Sequence, residues 1–336
     1  SLEYEAALFA RHIFPRREQE KESRWGDRYS INARGYRGDN FVVPKPPGMV
    51  RIVVLGGSAA FDIHAAEGDD WPSRVENRLK AVGFDSAEVI NAAVPGHASW
   101  DSLGRLFSEI WMFEPDYILV YHCWNDLKYF VRLGPERSLL RVYRPKRTEE
   151  GAYLVENPFL YDRGWLDRIL LHSQLYVRLR ERWLLRQMGE VTLEGLAPDS
   201  DYARVETDGR SWGRRQFALN LRLLADAARE AGARPVLVTQ ARLVAASNGP
   251  RERERIAYDM VGMNHDRLVR GFAACDEAVF EVAGEKQIDV IDASSALTGN
   301  SAYFEDHVHT TGAGSRALAE TVALHLGRIL SDSDVR

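Results

Sequence analysis

Three groups of residues, far apart in the sequence, have side chains of the types that nucleophilic catalysis uses. The first is the serine of Gly56-Gly57-Ser58, which follows the apolar run Ile52-Val53-Val54-Leu55. Such a run predicts a fully buried parallel strand. Ligands of open α/β sheets bind at the carboxyl ends of strands, so the Ser58 hydroxyl stands where a nucleophile would be placed. The same residues also suit a simple strand-to-helix turn with serine as the helix N-cap. The second group is Asp306, three residues before His309 and just ahead of a helical C-terminal pattern. In a loop, that aspartate can accept the Nδ1 proton of the imidazole, fix its tautomer and leave Nε2 as a general base. The spacing fits a turn-capping aspartate beside a surface histidine as well. It also fits two metal ligands, but no third ligand motif accompanies them, so neither a metal nor a cofactor is expected.

The third group is Trp124-Asn125-Asp126, expected at the end of a strand. An amide there can turn its NH2 toward the same crevice and stabilise developing negative charge without titrating. Gly96, in Asn91-Ala-Ala-Val-Pro-Gly-His97, ends another predicted strand, and its lack of a Cβ lets its N–H come close to a ligand oxygen. His97 and Trp124 flank these donors and are the expected substrate contacts. His64, His122 and His307 read as packed or rim histidines.

The elements that must position these groups alternate in type from residue 51 onward. Strands are predicted over 52–55, 87–92, 116–124, 234–239 and 288–292. Helices are predicted over 71–82, 99–113, 214–231, 252–284 and 311–329, several with apolar residues at helical spacing, such as Leu103, Leu106, Phe107 and Ile110. This order implies an α/β fold with three α/β/α layers and a five-stranded, mostly parallel sheet. Residues 1–50 read as a short helix followed by an extended, proline-rich lead-in to a domain over 51–330. Residues 130–210 break the rhythm and carry no clear strand. They are expected to form a mostly helical insertion or cap, with a helix over 173–188 that contributes Tyr176 and Trp183 to a small core.

The chain order, strand-Gly-Gly-Ser, then Asn-x-x-x-x-Gly, then strand-x-Asn-Asp, then Asp-x-x-His before the last helix, resembles the SGNH (GDSL) hydrolase superfamily. The resemblance covers about residues 51–132 and 211–330. It implies a flavodoxin-like sheet and a serine esterase acting on carboxyl esters, with O-acetyl groups on a carbohydrate among the candidate substrates. It also implies Ser58 as nucleophile and first oxyanion donor, Gly96 and Asn125 as the other donors, His309 as base and Asp306 as its orienting partner. An acyltransferase using the same triad, or a binding or assembly protein on a degenerate hydrolase scaffold, are the alternatives. Two positions depart from the family pattern: Gly57 replaces the aspartate of Gly-Asp-Ser, and Cys123 replaces the glycine of Gly-x-Asn-Asp. Neither position belongs to the proton relay.

Bulk properties narrow the partners. A net charge of −5 over 336 residues gives no basic surface for nucleic acid. Arginines do cluster between Arg178 and Arg186, but interleaved glutamate and leucine make this a solvated or lid helix. A small-molecule or glycan ester is the expected partner, and no pattern specifies an oligomeric state. The two cysteines, Cys123 and Cys275, have no metal-ligand spacing and are not expected to pair. No stretch reaches the roughly 18 apolar residues of a membrane span. The chain opens at Ser1 on a helix-like segment, and Asn32-Ala-Arg-Gly-Tyr-Arg-Gly38 looks like bacterial members of the family, many of which carry an N-terminal membrane segment. An anchor or signal preceding this sequence is therefore one of the open readings, and a periplasmic or outward-facing location stands slightly ahead of a cytoplasmic one.

Overall fold

The computed structural model describes residues 19–22, 28–130, 146–147, 153–154, 173, 175–176, 179 and 211–333. Its centre is a sheet of five parallel strands: β1 (Val50–Gly56), β2 (Ala87–Asn91), β3 (Tyr117–Tyr121), β4 (Arg234–Val238) and β5 (Asp289–Ile291). Their spatial order is 2-1-3-4-5. The apolar run in β1 exists because helices cover both faces of the sheet, and Ile52, Val53, Val54 and Leu55 are completely buried.

This order fixes where a ligand can sit. The chain leaves β1 toward β2 on one side, then crosses back to lay β3 on the other. The crevice beyond the carboxyl ends of β1 and β3 is therefore the switch point at which doubly wound sheets bind ligands. Gly56 pairs with Tyr121, so the two strands end at the same level. A single helical turn, α1 (Ser58–Phe61), follows β1.

On one face of the sheet, α2 (Trp71–Ala81) packs against the C-terminal helix, Gly312–Ser333. On the other, α3 (Ser99–Ser108) packs against the helix Trp212–Glu230, which also contacts the helix His265–Lys286. Side-chain caps define several starts. Asp70 accepts from the Ser73 amide, Ser211 from that of Arg214 and Asn264 from that of Arg267.

Three boundaries differ from the sequence expectation. The third strand stops at Tyr121, and Trp124 and Asn125 open the helix α4 (Trp124–Phe130) instead of closing the strand. The helix expected over 99–113 ends at Ser108 and gives way to a 3-10 turn, Ile110–Phe113, which buries Ile110 and Phe113 while leaving Phe107 exposed. The long helix expected over 252–284 is three pieces, Pro250–Arg253, Tyr258–Val261 and His265–Lys286. Gly262, at φ +65°, ends the second piece, and the Asn264 cap starts the third. Within the expected insertion, Lys146–Arg147 and Tyr153–Leu154 form a short antiparallel ladder. The helices expected near the N-terminus and over 173–188 lie outside the described residues, apart from isolated positions.

The lead-in is part of the core. Ile31, Tyr36 and Phe41 are buried, and the rings of Tyr36 and Phe41 meet Phe113 edge-on at 5.4 and 4.9 Å. Arg37, almost fully buried, donates to the carbonyls of Phe61 (3.1 Å), Asp62 (2.9 Å), Ala65 (2.6 Å) and Ala66 (2.9 Å). Its Nε lies 3.5 Å from the buried carboxylate of Asp70. One guanidinium thus satisfies the carbonyls just beyond α1 and fixes the loop that leads to α2. Replacing Arg37 with methionine is expected to destabilise the protein by about 3–5 kcal/mol, because it removes the counter-charge of the buried Asp70 carboxylate and the donor of four carbonyls. Urea unfolding of the variant against wild type measures this.

Candidate active site

Two glycines set the approach to Ser58, and each is required by space. A Cβ on Gly56 would lie 2.3 Å from the Ala60 Cβ and 2.7 Å from the Tyr121 carbonyl oxygen. A Cβ on Gly57 would lie 2.5 Å from Asn125 Nδ2 and 3.0 Å from the His97 carbonyl oxygen. Gly57 has an ordinary φ of −93°, so its side chain is excluded by crowding and not by torsion. A side chain here would therefore have to displace the Asn125 amide from its contact with the His97 carbonyl.

Ser58, Asp306 and His309 are brought together. Ser58 Oγ lies 2.7 Å from His309 Nε2, and His309 Nδ1 lies 2.7 Å from Asp306 Oδ2. The second carboxylate oxygen of Asp306 accepts from the amides of Val308 (3.0 Å) and His309 (2.9 Å), which fixes its rotamer. Burial pushes the Asp306 carboxyl up, but the His309 hydrogen bond, the two neighbouring imidazoles and the His309 amide outweigh it. The group is held well below the usual carboxylate range. An acceptor-only carboxylate on Nδ1 requires the proton there, which leaves the Nε2 lone pair for the serine hydroxyl. The loop is held as a narrow hairpin by the Glu305 amide on the His309 carbonyl (2.8 Å), and it is tied to the segment that follows β4 by the Leu243 amide on the His307 carbonyl (3.0 Å).

Asn125 reaches the same cleft from the first turn of α4. Its Nδ2 donates to the His97 carbonyl at 2.9 Å, and the second N–H of the NH2 group remains for a ligand. The helix start is pinned by the Trp124 amide, which donates to Gln240 Oε1 at 2.6 Å. The adjacent Asp126 carboxylate is buried and accepts from the Ser99 hydroxyl (2.6 Å) and amide (3.2 Å). It thereby ties α4 to the segment carrying His97. Burial pushes the Asp126 carboxyl up to about 7. Gly96 sits at φ +87° in a turn closed by the His97 amide on the Val94 carbonyl (3.0 Å). Proline then glycine at the two central positions is the type II pattern, which needs that left-handed glycine.

A narrow cleft beside the serine is lined by Gly57, Ser58, Trp124, Asn125, Gln240 and Val308 among others. Gly96 is not in that lining; it stands on the adjoining exposed turn. Trp124 is 3% exposed, with its ring 3.9 Å from that of His307 and stacked on Phe272. Its ring is packed against both, and the residue also lines the cleft beside Ser58. His97 is half-buried, and burial together with nearby Arg105 lowers its imidazole to about 3, so it is neutral near pH 7. His122 is buried against Ser102 (2.8 Å), and His307 is buried beside Asp306. His64 is half-buried, with its ring 5.3 Å from that of His309.

Sequence reasoning missed Asp62 and Thr310. Thr310 Oγ1 donates to Asp62 Oδ1 at 2.8 Å, and the other Asp62 oxygen accepts from the Trp71 amide at 2.9 Å. Asp62 directly follows α1 at φ +58°, and Thr310 directly follows His309. This buried bond therefore joins the turn that carries the serine to the loop that carries the base. Only the polarity of two residues beside the motifs hints at it in the sequence.

No protein-family model matches the sequence, and no curated protein matches it. Solved structures similar to the chain include a protein of the G-D-S-L family from Desulfitobacterium hafniense, at 11% identity and a TM-score of 0.44 over 82% of this chain and 98% of that one. Another is an acetylxylan esterase from Geobacillus stearothermophilus, at 14% identity and 0.48 over 83% and 94%. A third is TesA, at 16% and 0.43 over 82% and 97%.

Replacing Thr310 with valine removes the bond to Asp62 that joins the Ser58 turn to the His309 loop, and the reactivity of Ser58 toward an electrophilic phosphonate is expected to fall roughly ten- to a hundredfold. Serine at the same position keeps the hydroxyl and is expected to restore most of the rate. Stopped-flow labelling of the two variants beside wild type measures the difference.

Proposed function

We propose that this chain is a serine esterase that hydrolyses carboxyl esters through an acyl-enzyme on Ser58. The observation that carries the reading is the unbroken relay from Ser58 Oγ through His309 to Asp306, with both contacts at 2.7 Å. A capping serine and a surface histidine have no reason to meet across the fold in that geometry. The sequence resemblance to SGNH hydrolases points the same way.

In the first half-reaction, His309 Nε2 takes the Ser58 proton as Oγ bonds to the ester carbonyl carbon. The carbonyl π electrons move onto oxygen. Donors for that oxyanion are the Asn125 amide, the Ser58 backbone N–H and, from its adjoining turn, the Gly96 N–H. The tetrahedral intermediate collapses, the C–O bond to the alcohol breaks, and the imidazolium returns its proton to the leaving oxygen. In the second half, His309 deprotonates a water that attacks the acyl carbon, and Ser58 leaves with the proton. Asp306 stays ionised throughout and holds the imidazolium in register. His97, neutral at working pH, is suited to contact the substrate by hydrogen bonding and not by charge.

An O-acetyl ester on a carbohydrate, with its small acyl part at Ser58 and its polar alcohol kept outside, is the substrate class that the sequence resemblance favours.

Incubation with a fluorophosphonate followed by intact-mass measurement tests the chemistry. Wild type is expected to gain one adduct, and the Ser58→Ala variant none. Absence of an adduct on wild type, or an equal one on the variant, would refute the reading. Within the reading, Asn125→Ala is expected to lower kcat by roughly 10²–10³.

A further inference from the structure

The sequence offers two residues with metal-ligand spacing and no third. The fold supplies the third. His64, Asp306 and His309 each present a ligand atom, and these atoms all lie within 4.8 Å of one another. We propose that these three side chains form a binding site for a divalent transition-metal cation of the zinc type, and that its occupancy switches off the Ser58 relay.

The donor set argues for the class of ion. Two imidazoles and one carboxylate are the ligands of zinc sites that keep an open fourth position, whereas magnesium and calcium call for oxygen donors. In a tetrahedral zinc site the ligand atoms stand about 3.3 Å apart, so small side-chain movements close the group onto an ion. All three residues are partly exposed, so an ion in solution can reach them. His307, whose Nδ1 lies 3.6 Å from Asp306, is buried at the back of the group and does not face that opening.

The position of His64 is also built. Its loop is anchored on both sides by the Arg37 guanidinium, which holds the carbonyls of Phe61 and Asp62 before it and of Ala65 and Ala66 after it. The His64 backbone is therefore fixed against the base. Zinc inhibition follows from the same contacts that make the relay. His309 has two ring nitrogens, one engaged with Ser58 and the other with Asp306. Whichever nitrogen binds the cation, one relay contact is lost, and Asp306 is drawn from orienting partner to ligand. No bond to substrate forms or breaks in this step; it is reversible coordination that competes with two hydrogen bonds.

The inhibitory half rests on the esterase reading, whereas the binding half does not. The experiment therefore reads both on the purified protein. Zn2+ binding is measured by competition with a chromophoric chelator, and p-nitrophenyl acetate hydrolysis is followed with and without Zn2+ and then EDTA. Wild type is expected to bind one Zn2+, to lose hydrolysis as the site fills and to regain it with EDTA, with Mg2+ having no effect. His64→Ala is expected to weaken Zn2+ binding by about tenfold or more while keeping metal-free hydrolysis within a few-fold of wild type. His64→Gln gives the same comparison should the alanine variant fail to fold. Equal Zn2+ affinity in wild type and variant, or no binding by wild type at millimolar Zn2+, overturns the site. Binding that depends on His64, in a protein that hydrolyses no ester, upholds the site and defeats the esterase reading alone.

Discussion

Ser58 and His309 are separated by 251 positions in the chain, yet their side chains meet at 2.7 Å. The organisation of the fold bears on that one contact. The 2-1-3-4-5 strand order opens a crevice at the ends of β1 and β3, which puts the serine turn at the sheet's switch point. The last helix returns to pack beside α2 on the same face and brings the Asp306–His309 loop back to the first strand. A relay of this kind tolerates little displacement, because an error of about 1 Å in a reacting group costs on the order of 10² in rate. Sheet topology alone does not deliver that accuracy.

Buried polar groups supply the remainder. Arg37 fixes the chain just after Ser58, Asp62 and Thr310 join the Ser58 turn to the His309 loop, and Asp126 joins the Asn125 helix to the His97 turn. Each charge is removed from water at a cost and is retained with its partners satisfied. That cost is visible in Asp62, which burial pushes up to about 6, and in Asp126, pushed up to about 7. Carboxyls raised above their unfolded values favour the folded state most at low pH, and that contribution fades as pH rises through 6 and 7. Asp306 acts in the opposite sense, its depressed carboxyl favouring folding above the usual carboxylate range. The site is thus assembled from carboxylates with opposed environments, a pattern typical of functional sites.

Much of this was legible in the sequence, for reasons that differ by element. The strand at Ile52–Leu55 and the helices over 71–82 and 214–231 follow from uninterrupted apolar runs or clean helical spacing. Ser58, Asp306, His309 and Asn125 were found because each sits beside a turn signal at a strand or helix end. The misreadings come from tertiary context. Nothing local reveals that Phe272 and His307 pack on the Trp124 ring. The helix expected over 252–284 was broken by Gly262 and Asn264, whose turn chemistry outweighs the surrounding helical pattern. Asp62, Thr310 and His64 acquire their roles only through partners hundreds of residues away, which no local pattern encodes. The departure at Gly57 was visible, but the closeness of Asn125 to that position was not.

The central claim is that Ser58 and His309 act as one chemical unit. The most direct test compares p-nitrophenyl acetate hydrolysis by Ser58→Ala, His309→Ala and the double variant, all folded by circular dichroism. Removing either member of a working relay abolishes what the other does, so the double variant should be no slower than the worse single variant, within a factor of about three. Losses that multiply in the double variant would mean that the two residues act independently, and would contradict the account.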